Sequence, residues 1–267
     1  MIKLVCLDVD GTLVGSAGRV HPRVWDAAAR ARAAGLRLAL SSGRPGFGVS
    51  REYAERLDGD GWHMFQNGAS VLRLPTGVSR SSPIAADLIR SLIARARESD
   101  VTLELYTDTE YAVERVSDRA RAHAALLGVP FAPRPFESLT GPIVRAQWLV
   151  SVDQAAVLAA EPHLGLEVTT STSPVMPDTR FMNITAEGVD KASALRTVAA
   201  AYDVSLEDIM FVGDGLNDVG AMRIVGIPVA MANAEPEVRA VARKVVGDVD
   251  DGAAADALLF ALASGGY

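Results

Sequence analysis

The stretch that decides the fold lies near the N-terminus, where residues 3–14 read KLVCLDVDGTLV. Residues 3–9 form an apolar run rich in β-favouring side chains, and Asp10-Gly11 is a turn signal. We therefore predict a buried strand that ends in a turn. Asp8 and Asp10 would lie at the carboxyl end of this strand, and Cys6 would be a buried strand residue.

Helices and strands are predicted to alternate on both sides of the middle segment. Residues 22–35 form a helical pattern that starts at a proline and closes at a glycine, and short apolar strands are predicted at 36–40 and 62–66. In the last third, the predicted helices are 190–202, 217–225 and 235–243, and the predicted strands are 208–212 and 227–231. This alternation indicates an α/β fold with a doubly wound parallel sheet, in which ligands bind beyond the carboxyl ends of the strands.

The middle of the chain has a different pattern, with several strands in succession. The predicted elements are helices 84–99 and 118–127 and strands 101–106, 111–116 and 144–152. Consecutive strands favour an antiparallel sheet, so we predict an inserted α+β domain at residues 82–183. The core domain would then consist of residues 1–81 and 184–267.

Composition and charge limit the class of protein. With 267 residues, 49% hydrophobic and 22% charged, the chain is in the ordinary globular range. Its formal net charge of -7 opposes binding to nucleic acid and to anionic membranes. The single cysteine excludes an internal disulfide, and neither a signal peptide nor an apolar run of membrane-spanning length is visible. We therefore predict a cytoplasmic protein with a small-molecule partner, and no pattern indicates its oligomeric state.

The two acids after the first strand suit phosphoryl transfer. One carboxylate, Asp8 or Asp10, could attack phosphorus in line while the other donates a proton to the leaving alcohol and later activates water. Neighbouring negative charges repel each other and an anionic substrate, so a divalent cation is expected between them. A polar cap at a strand-to-turn junction is the alternative.

Two further motifs suit the binding of a phosphate. Ser42-Gly43 follows the second strand, where a hydroxyl and backbone N–H groups at a helix start can bind a phosphate oxygen; a simple N-cap is the alternative. Lys191 opens a helix, where the helix dipole disfavours a cation unless an anion lies nearby. Only three of the 26 lysine and arginine residues are lysines, which favours a specific role for Lys191 over that of a solvated surface side chain.

A second pair of acids follows the strand at 208–212, in the sequence Gly213-Asp-Gly-Leu-Asn-Asp218. Asp214 and Asp218, with glycine for a tight turn, can place oxygen ligands around a hard cation such as Mg²⁺. An acidic loop that caps the next helix is the alternative.

These four motifs occur together in an order that resembles the haloacid dehalogenase superfamily of phosphatases: residues 8–12, 42–44, Lys191 and 213–218. Three strings, at 67–69, 188–191 and 229–234, narrow the resemblance to the Cof-like, class IIB sugar and polyol phosphatases. The motifs cover the core, whereas the insertion resembles the family's cap in position and length only.

The resemblance implies a Rossmann-like core with a cap that selects the substrate, and Mg²⁺-dependent hydrolysis of phosphate monoesters through an aspartyl phosphate. It implies Asp8 as nucleophile and metal ligand, and Asp10 as acid/base whose backbone carbonyl also binds the metal. Asp214 would bind the metal directly, and Asp218 would support it or bind through water. The implied phosphoryl-binding residues are Ser42, Gly43, Lys191 and Asn217.

Two alternatives remain at this point. A phosphomutase with a similar core would pass the phosphoryl group between sugar hydroxyls, and a noncatalytic phosphate-binding protein would keep only the fold. Five arginines of the insertion are expected to be ordinary solvated side chains, although they could recognise a leaving group: Arg115, Arg119, Arg134, Arg145 and Arg180.

Overall fold

The structure is a computed structural model that describes residues 1–99, 101–173 and 175–265. Its β-strands are β1 Leu4–Asp8, β2 Arg37–Ser41, β3 Trp62–Phe65, β4 Ser70–Arg73, β5 Val78–Ser79, β6 Thr102–Tyr106, β7 Tyr111–Val113, β8 Arg145–Val150, β9 Leu166–Ser173, β10 Met176–Ala186, β11 Ile209–Gly213, β12 Ile227–Ala230 and β13 Lys244–Val245. Its α-helices are α1 Pro22–Ala33, α2 Val49–Asp58, α3 Ala86–Glu98, α4 Asp118–Leu127, α5 Val152–Ala159, α6 Lys191–Tyr202, α7 Val219–Ile224, α8 Pro236–Val241 and α9 Ala254–Gly265.

The first of two compact units comprises Met1–Arg44, Ser50–Arg80 and the described residues from Asp190 onward. Its sheet has the order β13-β12-β11-β1-β2-β3-β4-β5, and the strands from β13 to β3 are parallel. From β1 the chain moves outward to β2 and β3, and from β11 it moves outward in the other direction. The predicted α/β fold is therefore confirmed, and its topological switch point lies between β1 and β11.

The core of this unit forms as the sequence pattern predicts. All five residues of β1 are buried, including Cys6. In α1, the buried side chains of Val24, Ala27, Ala28 and Ala31 recur every three or four residues and form one face of the helix. This helix packs on α9, and α6 packs on β3 and α7. Among the described residues, no helix combines the length and the apolar character that a membrane crossing requires.

One edge of this sheet differs from a purely parallel arrangement. β4 pairs with β3 in the antiparallel sense, and β5 pairs with β4 in the same way. The reversal is made by residues 66–68, which form a single tight turn directly after β3. The sheet can end in an antiparallel strand here because so short a connection cannot return the chain for a parallel pairing.

The second unit comprises Pro45–Val49 and the described part of Ser81–Val189. Its sheet has the order β7-β6-β8-β10-β9, and every neighbouring pair is antiparallel. Alternate strand residues, including Leu103, Leu105, Ala146 and Trp148, pack with apolar side chains of α3 and α5. The unit is therefore an α+β structure with a core of its own.

Arg145 contradicts the expectation of a solvated arginine. The residue is only 3% exposed. Its guanidinium lies 4.0 Å from the centre of the Tyr106 ring and donates to Asn183 Oδ1 at 3.3 Å. The physical reason is its place on β8, the middle strand of the sheet, where neighbours on β6 and β10 cover the side chain. The other four arginines are partly exposed: Arg115, Arg119, Arg134 and Arg180.

Candidate active site

The predicted site residues lie at the topological switch point of the first unit's sheet, where the strand order reverses between β1 and β11. Asp8 is the last residue of β1 and pairs with Ser41, the last residue of β2. Leu7 pairs with Val212 on the other side, which places the end of β11 beside the end of β1. The parallel register thus brings three of the four motifs to one edge of the sheet.

Lys191 supplies a buried positive charge to this edge. It is the first residue of α6 and is only 1% exposed. Its Nζ donates to Asp8 Oδ1 at 2.5 Å and to Asp218 Oδ1 at 2.6 Å. Burial works against the charged amine, but Asp218 and Asp8 together raise its pKa above the usual value, so it is an ammonium at neutral pH. These two anions explain why a lysine occupies a helix N-terminus.

Asp218 and Asp214 are held by hydrogen bonds of their own. Asp218 Oδ2 accepts from the backbone N–H groups of Asp214 and Gly215, each at 3.1 Å. Asp214 Oδ1 accepts from Thr12 Oγ1 at 2.7 Å. A Cβ on Gly11 would lie 1.9 Å from Asp214 Oδ2, so glycine is required at this close approach. Both carboxylates are therefore fixed before any ligand binds.

The carboxylates of Asp8, Asp214 and Asp218 form a cluster whose ligand atoms all lie within 4.8 Å of one another. Burial raises the pKa of Asp8 well above its usual value, against the opposing effect of the Lys191 ammonium, and the carboxylates of Asp218 and Asp214 add to the rise. Burial likewise raises the pKa of Asp214, to about 6. Three carboxylates face one ammonium, and all the donors are hard oxygen atoms. The residues present therefore fit a divalent cation such as Mg²⁺.

The carboxylate of Asp10 has a different partner from that cluster. Arg44 Nε and Nη2 donate to its two oxygens at 2.9 and 2.5 Å, in a bidentate pair. The Asp10 side chain is 57% exposed, whereas the Asp8 side chain is 9% exposed. The turn after Val9 thus separates the two acids and gives them different surroundings, which different chemical roles require.

The predicted phosphoryl-binding residues lie on separate segments of the first unit, after β2, after β11 and at the start of α6. Ser42 is buried, and its Oγ accepts from Arg44 N at 3.0 Å. Asn217 is exposed and lies in a single turn of 3₁₀ helix, residues 216–218, between β11 and α7. With Lys191 on α6, the structure places these groups on three different segments of one unit.

Sequence reasoning assigned no role to four residues that contact the site. Thr12 bonds Asp214, Arg44 bonds Asp10, and Asn67 Oδ1 accepts from Asn217 Nδ2 at 3.0 Å. Asn233 Nδ2 donates to the Gly11 carbonyl at 2.8 Å. All four belong to the strings that carry the family resemblance, which was the signal that could have identified them.

The fold and the site define a hydrolase with a core of the haloacid dehalogenase type. A profile of haloacid dehalogenase-like hydrolases matches residues 5–258. The chain belongs to this family, and it is a hydrolase of the phosphatase type.

Similar proteins agree with this assignment. The chain is 26% identical to pyridoxal phosphate phosphatase YbhA of Escherichia coli, over 92% of this chain and 93% of that protein. A haloacid dehalogenase-like hydrolase from Bacteroides thetaiotaomicron superposes with a TM-score of 0.86 at 23% identity, over 97% of this chain and 99% of that one. The subclass IIB sugar phosphatase BT4131 superposes with a TM-score of 0.78 at 23% identity, over 97% and 98%. The two structural matches show the fold.

Proposed function

We propose that the chain is a Mg²⁺-dependent phosphatase that hydrolyses small phosphate monoesters through an aspartyl phosphate on Asp8. The observation that carries the proposal is the buried Asp8 carboxylate, which lies 2.5 Å from Lys191 Nζ and within the cluster formed with Asp214 and Asp218. A carboxylate held beside an ammonium and a cation site suits nucleophilic attack on an anionic phosphoryl group.

The proposed reaction has two steps, transfer of the phosphoryl group to Asp8 and hydrolysis of the resulting aspartyl phosphate. An oxygen of Asp8 attacks phosphorus and the bond to the ester oxygen breaks. Asp10, once it has left Arg44 and taken up a proton from solvent, donates that proton to the leaving alcohol. Asp10 then takes a proton from a water molecule that attacks the phosphorus of the aspartyl phosphate, which releases inorganic phosphate and restores Asp8. The exposed position of the Asp10 carboxylate suits exchange with the leaving alcohol and with water.

The remaining residues would neutralise and orient the phosphoryl group. Lys191 offers a fixed ammonium, and Ser42, Gly43 and Asn217 offer hydrogen-bond donors from two loops. Asp8, the Asp10 carbonyl and Asp214 would hold Mg²⁺, with Asp218 supporting them directly or through water. When bound, the cation would shield the negative charge that the acids and the phosphate share.

The proposed substrate class is that of sugar and polyol phosphates. Its support is the Cof-like sequence strings and the likeness to a sugar phosphatase, while the relative named for pyridoxal phosphate makes that ester a further candidate. The second unit would act as the cap that selects the leaving group, because it is an α+β domain inserted between the site motifs.

Phosphate release tests this proposal. Wild type, Asp8→Asn and the exposed control Asp26→Asn are assayed with p-nitrophenyl phosphate, pyridoxal phosphate and a panel of sugar phosphates, in Mg²⁺ and in EDTA. We expect Mg²⁺-dependent release that the control retains and that Asp8→Asn lowers by at least about 10³-fold, because the nucleophile is lost. Equal release by wild type and Asp8→Asn would contradict the proposed chemistry.

A further inference from the structure

The turn after β3 has a backbone conformation that residues other than glycine rarely adopt. Gln66 and Asn67 both have φ of 55°, and Gly68 follows with φ of 99°. In the described part of the chain, the other non-glycine residue with positive φ is Asp203, at the end of α6. Two consecutive left-handed residues with side chains are unfavourable by themselves, so contacts elsewhere in the unit must hold this turn.

Those contacts come from the segments that carry the predicted phosphate site. Gln66 N donates to the Arg44 carbonyl at 2.9 Å, and Asn67 N donates to the Ser42 carbonyl at 3.0 Å. On the other side, a Cβ on Gly68 would lie 2.2 Å from the carbonyl oxygen of Asp190, the residue before Lys191. The turn is therefore fixed between the loop after β2 and the start of α6.

The side chain of Asn67 extends these contacts to two more predicted phosphate-binding residues. Its Oδ1 accepts from Asn217 Nδ2 at 3.0 Å, across 150 residues of sequence. A Cβ on residue 43 would lie 3.2 Å from Asn67 Oδ1 and 3.4 Å from Nδ2, so the amide lies directly against Gly43. One residue thus connects Ser42 and Gly43 on one loop with Asn217 on the other.

We propose that Asn67 is a positioning residue that orients the Asn217 amide for the phosphoryl group, an inference that rests on the proposed function. The Asn217 Nδ2 group has two N–H bonds, and Asn67 Oδ1 accepts one of them. The second then has a defined direction and is available to a phosphoryl oxygen. Because Asn217 is exposed and lies on a short turn, its side chain would otherwise sample several rotamers and lose entropy on binding.

A double-mutant cycle on phosphate binding tests this inference. Asn67→Gly, Asn217→Ala and the double variant are titrated with inorganic phosphate in Mg²⁺ by calorimetry. Glycine accepts positive φ, so Asn67→Gly removes the amide without adding backbone strain. We expect Asn67→Gly to weaken phosphate binding about fivefold in wild type, the worth of one net hydrogen bond, and less than twofold when Asn217 is already alanine.

Asp203→Gly is the matched control, because it replaces the other left-handed residue with glycine and lies outside the site. It should leave the phosphate dissociation constant within about twofold of wild type, as for an uncoupled surface substitution. The inference would be overturned if Asn67→Gly left the phosphate dissociation constant unchanged. It would also be overturned if the fold-changes of the two single variants simply multiplied in the double variant, or if wild type bound no phosphate.

Turnover of phosphate esters by the same proteins separates the inference from the proposed function. A wild type that binds phosphate with the expected coupling but releases none from any ester would refute the phosphatase proposal and leave the role of Asn67 intact. Active wild type without coupling between Asn67 and Asn217 would refute the positioning role alone.

Discussion

At the scale of single residues, Lys191 supplies the positive charge that compensates the buried carboxylates of the site. Its ammonium is buried and lies within 2.6 Å of carboxylate oxygens of both Asp8 and Asp218. Removing one partner of a buried ion pair is costly because the other charge stays buried without compensation. The residue that is expected to bind phosphate therefore also stabilises the unliganded fold.

Lys191→Met should lower the free energy of unfolding in EDTA by about 3–5 kcal/mol, the cost of uncompensated buried charge. Urea denaturation measures this loss, and Mg²⁺ should recover part of it by supplying another cation. Lys3→Met is the control. It breaks a surface pair with Asp208 in which the Lys3 side chain is 54% exposed, so solvent already screens the pair and the loss should be much smaller than in Lys191→Met. Equal losses in the two variants would contradict this account of the site.

At the scale of elements, His63 joins three pieces of the first unit. It lies on β3, its Nδ1 accepts from Leu40 N of β2 at 3.0 Å, and its Nε2 donates to the Asp58 carbonyl of α2 at 2.8 Å. The ring is completely buried, and burial lowers the pKa of His63 to about 4. A second proton would have to occupy Nδ1, where it would face the N–H of Leu40.

The stability contributed by the neutral His63 ring should be present above pH 6.5 and lost as the pH falls from 6.5 towards 4. The unfolded chain binds a proton near pH 6.5, whereas the folded protein does so only near 4, so acid favours unfolding. This difference corresponds to about 3 kcal/mol. The unfolding free energy of wild type minus that of His63→Gln should fall by this amount between pH 6.5 and pH 4, as measured by denaturation at several pH values. Parallel pH profiles of the two proteins would contradict the prediction.

The sequence predicted elements well where local signals mark both ends. The helix predicted at 118–127 has those bounds in the structure, because Ser117 caps its start and Gly128 closes its end with φ of 70°. The short strands β4 and β5 were not predicted, since a strand of four or two residues depends on its pairing partner rather than on a pattern of its own. The burial of Arg145 was missed for a related reason, because its cover comes from neighbouring strands.

At the scale of the whole molecule, the acidic cluster belongs to one of two units with separate cores. The sequence predicted Asp8, Ser42 and Asp214 as neighbours because parallel strand ends meet at one edge of a sheet. Lys191 begins a helix, and its place beside them was implied by the family resemblance. Contacts such as that between Asn233 and Gly11, 222 residues apart, could not be predicted, because no spacing rule relates side chains on separate loops.

Mg²⁺ should increase amide protection in the first unit and leave the second unit nearly unchanged. A ligand that binds only the folded state stabilises it by about 2.7 kcal/mol at a concentration of 100 times its dissociation constant. Hydrogen exchange with mass spectrometry would show slower exchange in peptides from β1, β11 and the start of α6. Asp214→Asn should abolish the effect. An equal gain in β6 and β8 would contradict a site confined to the first unit.

The pairing of β1 with β11 also governs when the site can form during synthesis. Thr12 and Asp214, which share a hydrogen bond, are 202 residues apart, so the chain emerging from a ribosome carries Asp8 long before Lys191, Asp214 and Asp218. At about 5–20 residues per second, the delay is roughly 10 to 40 s. During this interval β1 has an unpaired edge, and the nascent chain needs protection from aggregation while it waits for its C-terminal third.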